Sequence, residues 1–193
     1  MTESTTLLAQ TARVHLRDLQ IIDGFIDSEG SVNFDFWART YIRTAVSLFE
    51  ASIFLLKQTY LEHSREHKLF VEPRSYSYLM NISYSPDNNG ELKERSFNTP
   101  LPKDIKCFFK LISTLGGPQP SVKYNSKWED LCAVIKIRHA LTHPNSLESQ
   151  TVSSAQVQQC RNATVWLFDL MHSTDYFFQA YTHHLEDKRD GFE

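Results

Sequence analysis

The chain has 193 residues, enough for one well-buried domain, and its 41% hydrophobic content is that of a soluble globular protein. A net charge of −3 and a pI near 6.2 exclude a general nucleic-acid coat protein while leaving room for a local basic cleft. Cys107, Cys132 and Cys160 are an odd, scattered set rather than a disulfide framework. The first residues lack a signal peptide, and no stretch approaches the ~18 apolar residues of a membrane span, so a cytoplasmic protein without membrane association is expected.

The first helix is expected over residues 5–26, with Leu8, Ala12, His15, Leu19 and Ile22 on one face. His15 in that stripe reads as a core histidine bonded to a backbone carbonyl; its other reading is a supporting partner of an arginine further along. Gly24, Ser28, Gly30 and Ser31 then loosen the chain into a loop. Asp35 caps a long second helix over 36–67, whose stripe of Trp37, Tyr41, Ala45, Leu48, Ser52, Leu55 and Thr59 is widened by Ile42, Phe49, Ile53 and Tyr60. Only Arg39, Arg43, Glu50 and Lys57 make a polar face, and it is narrow. Arg39 and Arg43 lie one turn apart, a repulsion of a few tenths of a kcal/mol that a bound phosphate relieves. They are the candidate nucleic-acid contacts, against the commoner reading of a solvated face.

After Pro73 the period changes. Tyr76, Tyr78, Met80, Ile82 and Tyr84 alternate with serine and asparagine, which predicts a strand; 86–90 is a turn, and 91–97 a weaker returning strand. The hairpin is an insertion over about 74–99, whose tyrosine row packs on the bundle or on a second subunit, or less commonly stacks RNA bases. A third helix follows over 103–115, stopped by Gly116 and Gly117, and Pro118 and Pro120 stiffen the link. The fourth covers about 126–142. Ser153 and Gln156 resemble a capping box opening the last long helix through Val157, Cys160, Leu167, Met171 and Phe178. The charged tail, 186–193, is expected to fray. No internal repeats are present.

The fourth helix carries the chemistry. Leu131, Val134, Ile135, Leu141 and Thr142 gather on one side, and Arg138 projects from the middle of it, where a core residue belongs. His139 lies at the edge of that side. His143 precedes Pro144, which ends the helix at Thr142 or His143. One guanidinium and one or two imidazoles therefore meet a helix C-terminus, whose dipole favours cations. Glu50 is the one acid of the second helix that can reach Arg138, although its place opposite the main stripe argues against that pair. A metal centre is not expected. His139 and His143 are four apart, as are His63 and His67 beside Glu66, but HExxH and paired cysteines are absent from the sequence.

The run Arg138-His139-Ala140-Leu141-Thr142-His143 resembles the R-x4-6-H signature of the HEPN superfamily, in which a polar residue commonly follows the arginine, as His139 does here. The resemblance implies one all-α, HEPN-like helical bundle over 1–193, of about five helices with the hairpin inserted. It also implies a homodimer, no cofactor, and metal-independent endoribonuclease activity in a toxin or antiviral-defence role. Arg138 and His143 are then catalytic and His139 supporting; RNA or a nucleotide is the ligand, and a cognate antitoxin or regulatory protein a partner. The other implied class is a non-catalytic helical dimer that binds nucleotide, RNA or protein.

Overall fold

The computed structural model of the chain describes residues 3–28, 33–87, 89–96, 98–119, 125–146 and 150–190. In chain order these form α1 (Glu3–Ser28), α2 (Phe34–Glu66), α3 (Pro73–Leu79), β1 (Ile82–Pro86), β2 (Leu92–Ser96), α4 (Leu101–Ser113), α5 (Ser126–Thr142) and α6 (Ser154–Asp190). The mostly helical character read from the periodicity holds, with six helices among the described residues where five were expected. Gly30, Ser31, Phe97, Pro120 and residues 191–193, read above as loop, strand end, link and tail, lie outside the described residues. No helix among the described residues is long and apolar enough to cross a membrane.

The chain forms two compact units. The first comprises Leu7–Ser52 and Pro120–His172, hence most of α1, the first part of α2, α5 and the first part of α6. Its core holds Leu19, Ile42, Phe49, Trp128, Leu131, Val134, Cys160 and Leu167. Arg161 of α6 clamps α1: its Nε and Nη2 donate to Asp23 at 2.9 and 2.6 Å, and Nη2 also to Asp27 at 3.0 Å. The hydrogen bond to Asp23 is the main reason the guanidinium holds its proton even more firmly than usual. Burial pushes the neighbouring Cys160 thiol up to about 12, so it packs as an inert apolar group. His15 is a part-buried histidine bonded to a backbone carbonyl, Nδ1 to the Thr11 oxygen at 3.0 Å, as expected. The reciprocal capping box at α6 is also present: Gln156 N–H donates to the Ser153 hydroxyl and Ser153 N–H to the Gln156 side chain.

The second unit comprises Met1–Thr6, Ile53–Gln119 and Ser173–Glu193. Its core holds Ile53, Leu56, Leu79, Ile105, Phe108, Phe109, Ile112 and Phe178. Here the expected strand from Tyr76 is corrected. Pro73 at the first helical position pre-sets a helical φ, and Pro73–Leu79 is a short helix whose buried residue is Leu79, the residue that broke the alternation. Asn81, at φ 53°, ends it in the left-handed region that asparagine tolerates. Only then does β1 pair antiparallel with β2, Ile82 against Ser96 through Pro86 against Leu92. No tyrosine row exists, because Tyr76 and Tyr78 are helical and Tyr84 lies on the sheet. Asp87 organises the turn, accepting from the Asn89 and Glu91 amides and from Lys93, and Lys93 is the main reason its carboxyl titrates low.

Two helices of this unit, α4 and α2, end alike. At α4, Gly116 (φ 88°) donates to the Ser113 carbonyl and Gly117 to that of Ile112, a Schellman closure. Gly117 must stay glycine, because a Cβ there would lie 2.2 Å from the Ile112 side chain. At α2 the same closure is built on Lys68 (φ 53°), which donates to Arg65 while Leu69 donates to Ser64.

The second correction concerns Lys57, assigned above to a polar helix face. Its side chain is 0% exposed and meets Asp104 of α4 at 2.5 Å. Nζ also donates to the Asn81 side chain at 3.0 Å and lies 4.2 Å from the Tyr78 ring centroid. The Tyr78 hydroxyl donates to the Asp104 carboxylate at 2.6 Å, and burial together with that bond raises its pKa far above the tyrosine range. Asp104, Asn81 and Tyr78 thus form a shared polar shell around a buried ammonium. Lys57→Met leaves Asp104, 16% exposed, without its cation. Denaturant unfolding should then show a loss of about 3–5 kcal/mol; a loss below about 1 kcal/mol would mean that Lys57 is solvated.

Candidate functional site at the end of α5

α5 starts where the Asn125 side chain accepts from the Lys127 amide at 3.0 Å. Its buried face is Trp128, Leu131, Val134 and Leu141, a spacing of three, three and seven residues that leaves Arg138 in the gap. Arg138 does continue the apolar stripe, as read from the sequence, but its side chain is 35% exposed, although Leu141 beyond it is buried. The helix ends at Thr142, and His143 takes the C-cap position with φ −127° and ψ 69°, outside the helical region that a following proline disfavours. Its amide donates to the His139 carbonyl at 2.9 Å, and the two imidazoles lie 5.0 Å apart, both on exposed residues.

Three side chains of α2 meet this segment. Arg43 donates to the Leu141 carbonyl at 3.0 Å, satisfying one of the last carbonyls of α5, and Arg39 donates to the Gln150 carbonyl at 3.2 Å. Both side chains reach solvent, and each also holds backbone that follows or ends α5. The third is Glu50. Its carboxylate reaches the Arg138 guanidinium at 3.7 Å, which corrects the reading that its place on α2 keeps the two apart. The signal for this pair is in the spacing, since Arg43, Glu50 and Lys57 recur every seven residues and share one line along α2.

The structure therefore brings Arg138 to Glu50, and His139 to His143, in the last turns of α5. The Arg138–Glu50 contact is long and wet, with 35% and 48% of the side chains exposed. Pairs of that kind contribute at most about 1 kcal/mol. The guanidinium keeps donors that an anion can take by displacing one weakly held carboxylate. Such an anion would meet a planar fork suited to phosphate, beside two imidazoles. Comparison with known protein families, curated proteins and solved structures finds no match.

The weakness of this pair is directly measurable. Glu50→Gln and Arg138→Met, which keeps most of the stem, should each change the unfolding free energy by no more than about 1 kcal/mol. A loss of about 3–5 kcal/mol would instead identify Arg138 as a buried structural anchor.

Proposed function

We propose that the protein is a metal-independent endoribonuclease of the HEPN type, toxin or antiviral-defence related, which works through Arg138 and His143 at the cleft of a homodimer. One observation supports this reading most: Arg138 breaks an apolar stripe yet, among the described residues, is held by one half-exposed carboxylate at 3.7 Å. A purely structural arginine in a stripe calls for a close, sheltered partner, as Lys57 has in Asp104.

In the proposed reaction the ribose 2′-oxygen attacks the adjacent phosphorus as its proton is removed. The bond from phosphorus to the 5′-oxygen breaks, and that oxygen takes up a proton, giving a 2′,3′-cyclic phosphate and a 5′-hydroxyl end. Arg138 binds the non-bridging oxygens where charge builds up. His143 moves a proton, and His139 orients it or contacts the neighbouring phosphate. Arg39 and Arg43 contribute field rather than direct contacts, because both already donate to backbone carbonyls. Two proton transfers call for two carriers in reach, which a two-fold dimer supplies. Leu7, Val14 and Ile21 are exposed at 49%, 58% and 50% and stand seven apart along α1, an apolar line suited to helix–helix contact. We take it, with α5, as the dimer surface. A cognate antitoxin or regulatory protein is the partner this reading implies.

The pairing of Arg138 with Glu50 also favours a second reading, a non-catalytic helical dimer that binds nucleotide, RNA or a protein partner. Incubation of the full-length chain with total RNA and EDTA separates the two. The wild type should cut, leaving cyclic phosphate ends. Arg138→Met and His143→Ala should each slow cleavage about 10²–10³-fold, and His139→Ala less. If the folded wild type cuts no RNA under any condition, the binding module takes the place of the nuclease.

The assembly has its own test. Light scattering at micromolar concentration should give a dimer, and Val14→Glu a monomer. A monomeric wild type removes the shared cleft from the proposal.

A further inference from the structure

The C-terminus of α2 carries a second cluster that the proposed reaction does not use. His63, Glu66 and His67 each present one donor atom, and these atoms lie within 4.8 Å of one another. We propose that the three side chains bind one transition-metal dication of the zinc class.

The backbone makes the arrangement. Positions 63, 66 and 67 are three and four residues apart, so their side chains rise on one face of a helix. Glu66 is the last residue of α2 and His67 the next, outside the regular helix, where fraying is normally greatest. It is held there. The His67 amide donates to the His63 carbonyl, and the closure through Lys68 and Leu69 fixes the chain just beyond. A lysine at φ 53° is strained relative to glycine, and the turn it completes keeps His67 against His63. The two imidazole rings lie 4.6 Å apart.

The surroundings suit a cation with restricted access. His63 is buried against the rings of Phe178 and Tyr181, at 5.6 and 6.2 Å, so one side of the cluster is dry. Glu66 is exposed and His67 half-buried, which leaves an entry path from solvent. The carbonyl end of a 33-residue helix adds negative potential. Arg65 is two residues from His63 and therefore points away from the cluster face.

Donor chemistry selects the ion. Two imidazole nitrogens and one carboxylate oxygen suit zinc, cobalt, nickel or copper; calcium and magnesium take oxygen donors in larger number. Around a tetrahedral zinc, with bonds of about 2.0–2.2 Å, donor atoms stand roughly 3.4 Å apart. Donors already within 4.8 Å reach that spacing by small side-chain rotations. Three protein ligands leave a coordination position for water or an added ligand. The site is distinct from Arg138 and His143, so it does not conflict with cleavage in EDTA.

The test uses the full-length, reduced chain, stripped of metal by a chelator and titrated with zinc against a chromophoric competitor. One zinc per chain should bind at micromolar free metal or below, and zinc should raise the melting temperature. Glu66→Gln and His67→Gln leave the buried His63 in place, and a far-ultraviolet circular dichroism match to wild type confirms their fold. Each should weaken binding at least about tenfold, the smallest loss expected even for an outer partner of a metal ligand. Cobalt in place of zinc should give a four- or five-coordinate visible spectrum in the wild type and lose it in both variants. The combined change His139→Gln with His143→Gln should alter neither affinity nor stoichiometry. The proposal is overturned by absence of binding at micromolar zinc, by binding that survives both Glu66→Gln and His67→Gln, or by binding that follows His139 and His143 instead.

Discussion

A long helix that is apolar on most of its circumference must still place its few polar side chains, and the way α2 does so organises the elements around it. Arg39, Arg43, Glu50 and Lys57 occupy one narrow line, and each finds its partner on another part of the chain. These partners are the Gln150 carbonyl, the Leu141 carbonyl, Arg138 and Asp104. An isolated ammonium or guanidinium in an apolar surrounding is too costly to persist, so each polar position dictates what packs opposite it. Residues 34–52 of α2 set the end of α5 in this way, and residues 53–66 set α4 and the short helix α3.

The contacts along that line are not equivalent. Lys57 is fully buried, at 2.5 Å from its carboxylate, with an amide and an aromatic ring completing the shell. Breaking such a contact leaves a sheltered charge, which is why it specifies structure. Glu50 meets Arg138 across 3.7 Å on a surface wet enough to screen both charges. A strong pair holds a fold, whereas a weak one holds a guanidinium in position and leaves it available. In the ribonuclease reading Glu50 is a placeholder, keeping Arg138 ordered until a phosphate replaces it. The cost of that exchange is small because the original pair contributes little.

Local chemistry was the legible part of the sequence. The bounds of α5, its end before Pro144, the box of Ser153 with Gln156, and the stop at Gly116 and Gly117 all depend on residues within one turn of each other. So does the His15 contact with the Thr11 carbonyl. What failed to show depends on distant partners. The alternation after Pro73 suits a strand as well as a helix of about two turns, and burial of Leu79 decides for the helix. Lys57 looks solvated until Asp104 and Asn81 are brought to it from 47 and 24 residues away. α6 runs on to Asp190 although its last residues carry charges that suggested fraying from 186. At the candidate site the three residues Arg138, His139 and His143 were visible as a motif. Glu50 was visible only as a candidate partner that its place opposite the main stripe argued against, because a pair between two helices leaves no local trace beyond the seven-residue recurrence on α2.

The central claim is that the end of α5 receives a phosphate, with Glu50 giving way. Histidine side-chain NMR of the full-length chain, titrated with an RNA oligonucleotide made uncleavable by 2′-deoxy substitution, tests this without requiring turnover. The account predicts that the imidazole signals of His139 and His143 shift together and saturably, while those of His15 and His63 stay in place. It also predicts tighter binding in Glu50→Gln, because the guanidinium of Arg138 is released in advance. Saturable binding that moves neither His139 nor His143, or that weakens when Glu50 is neutralised, would contradict it.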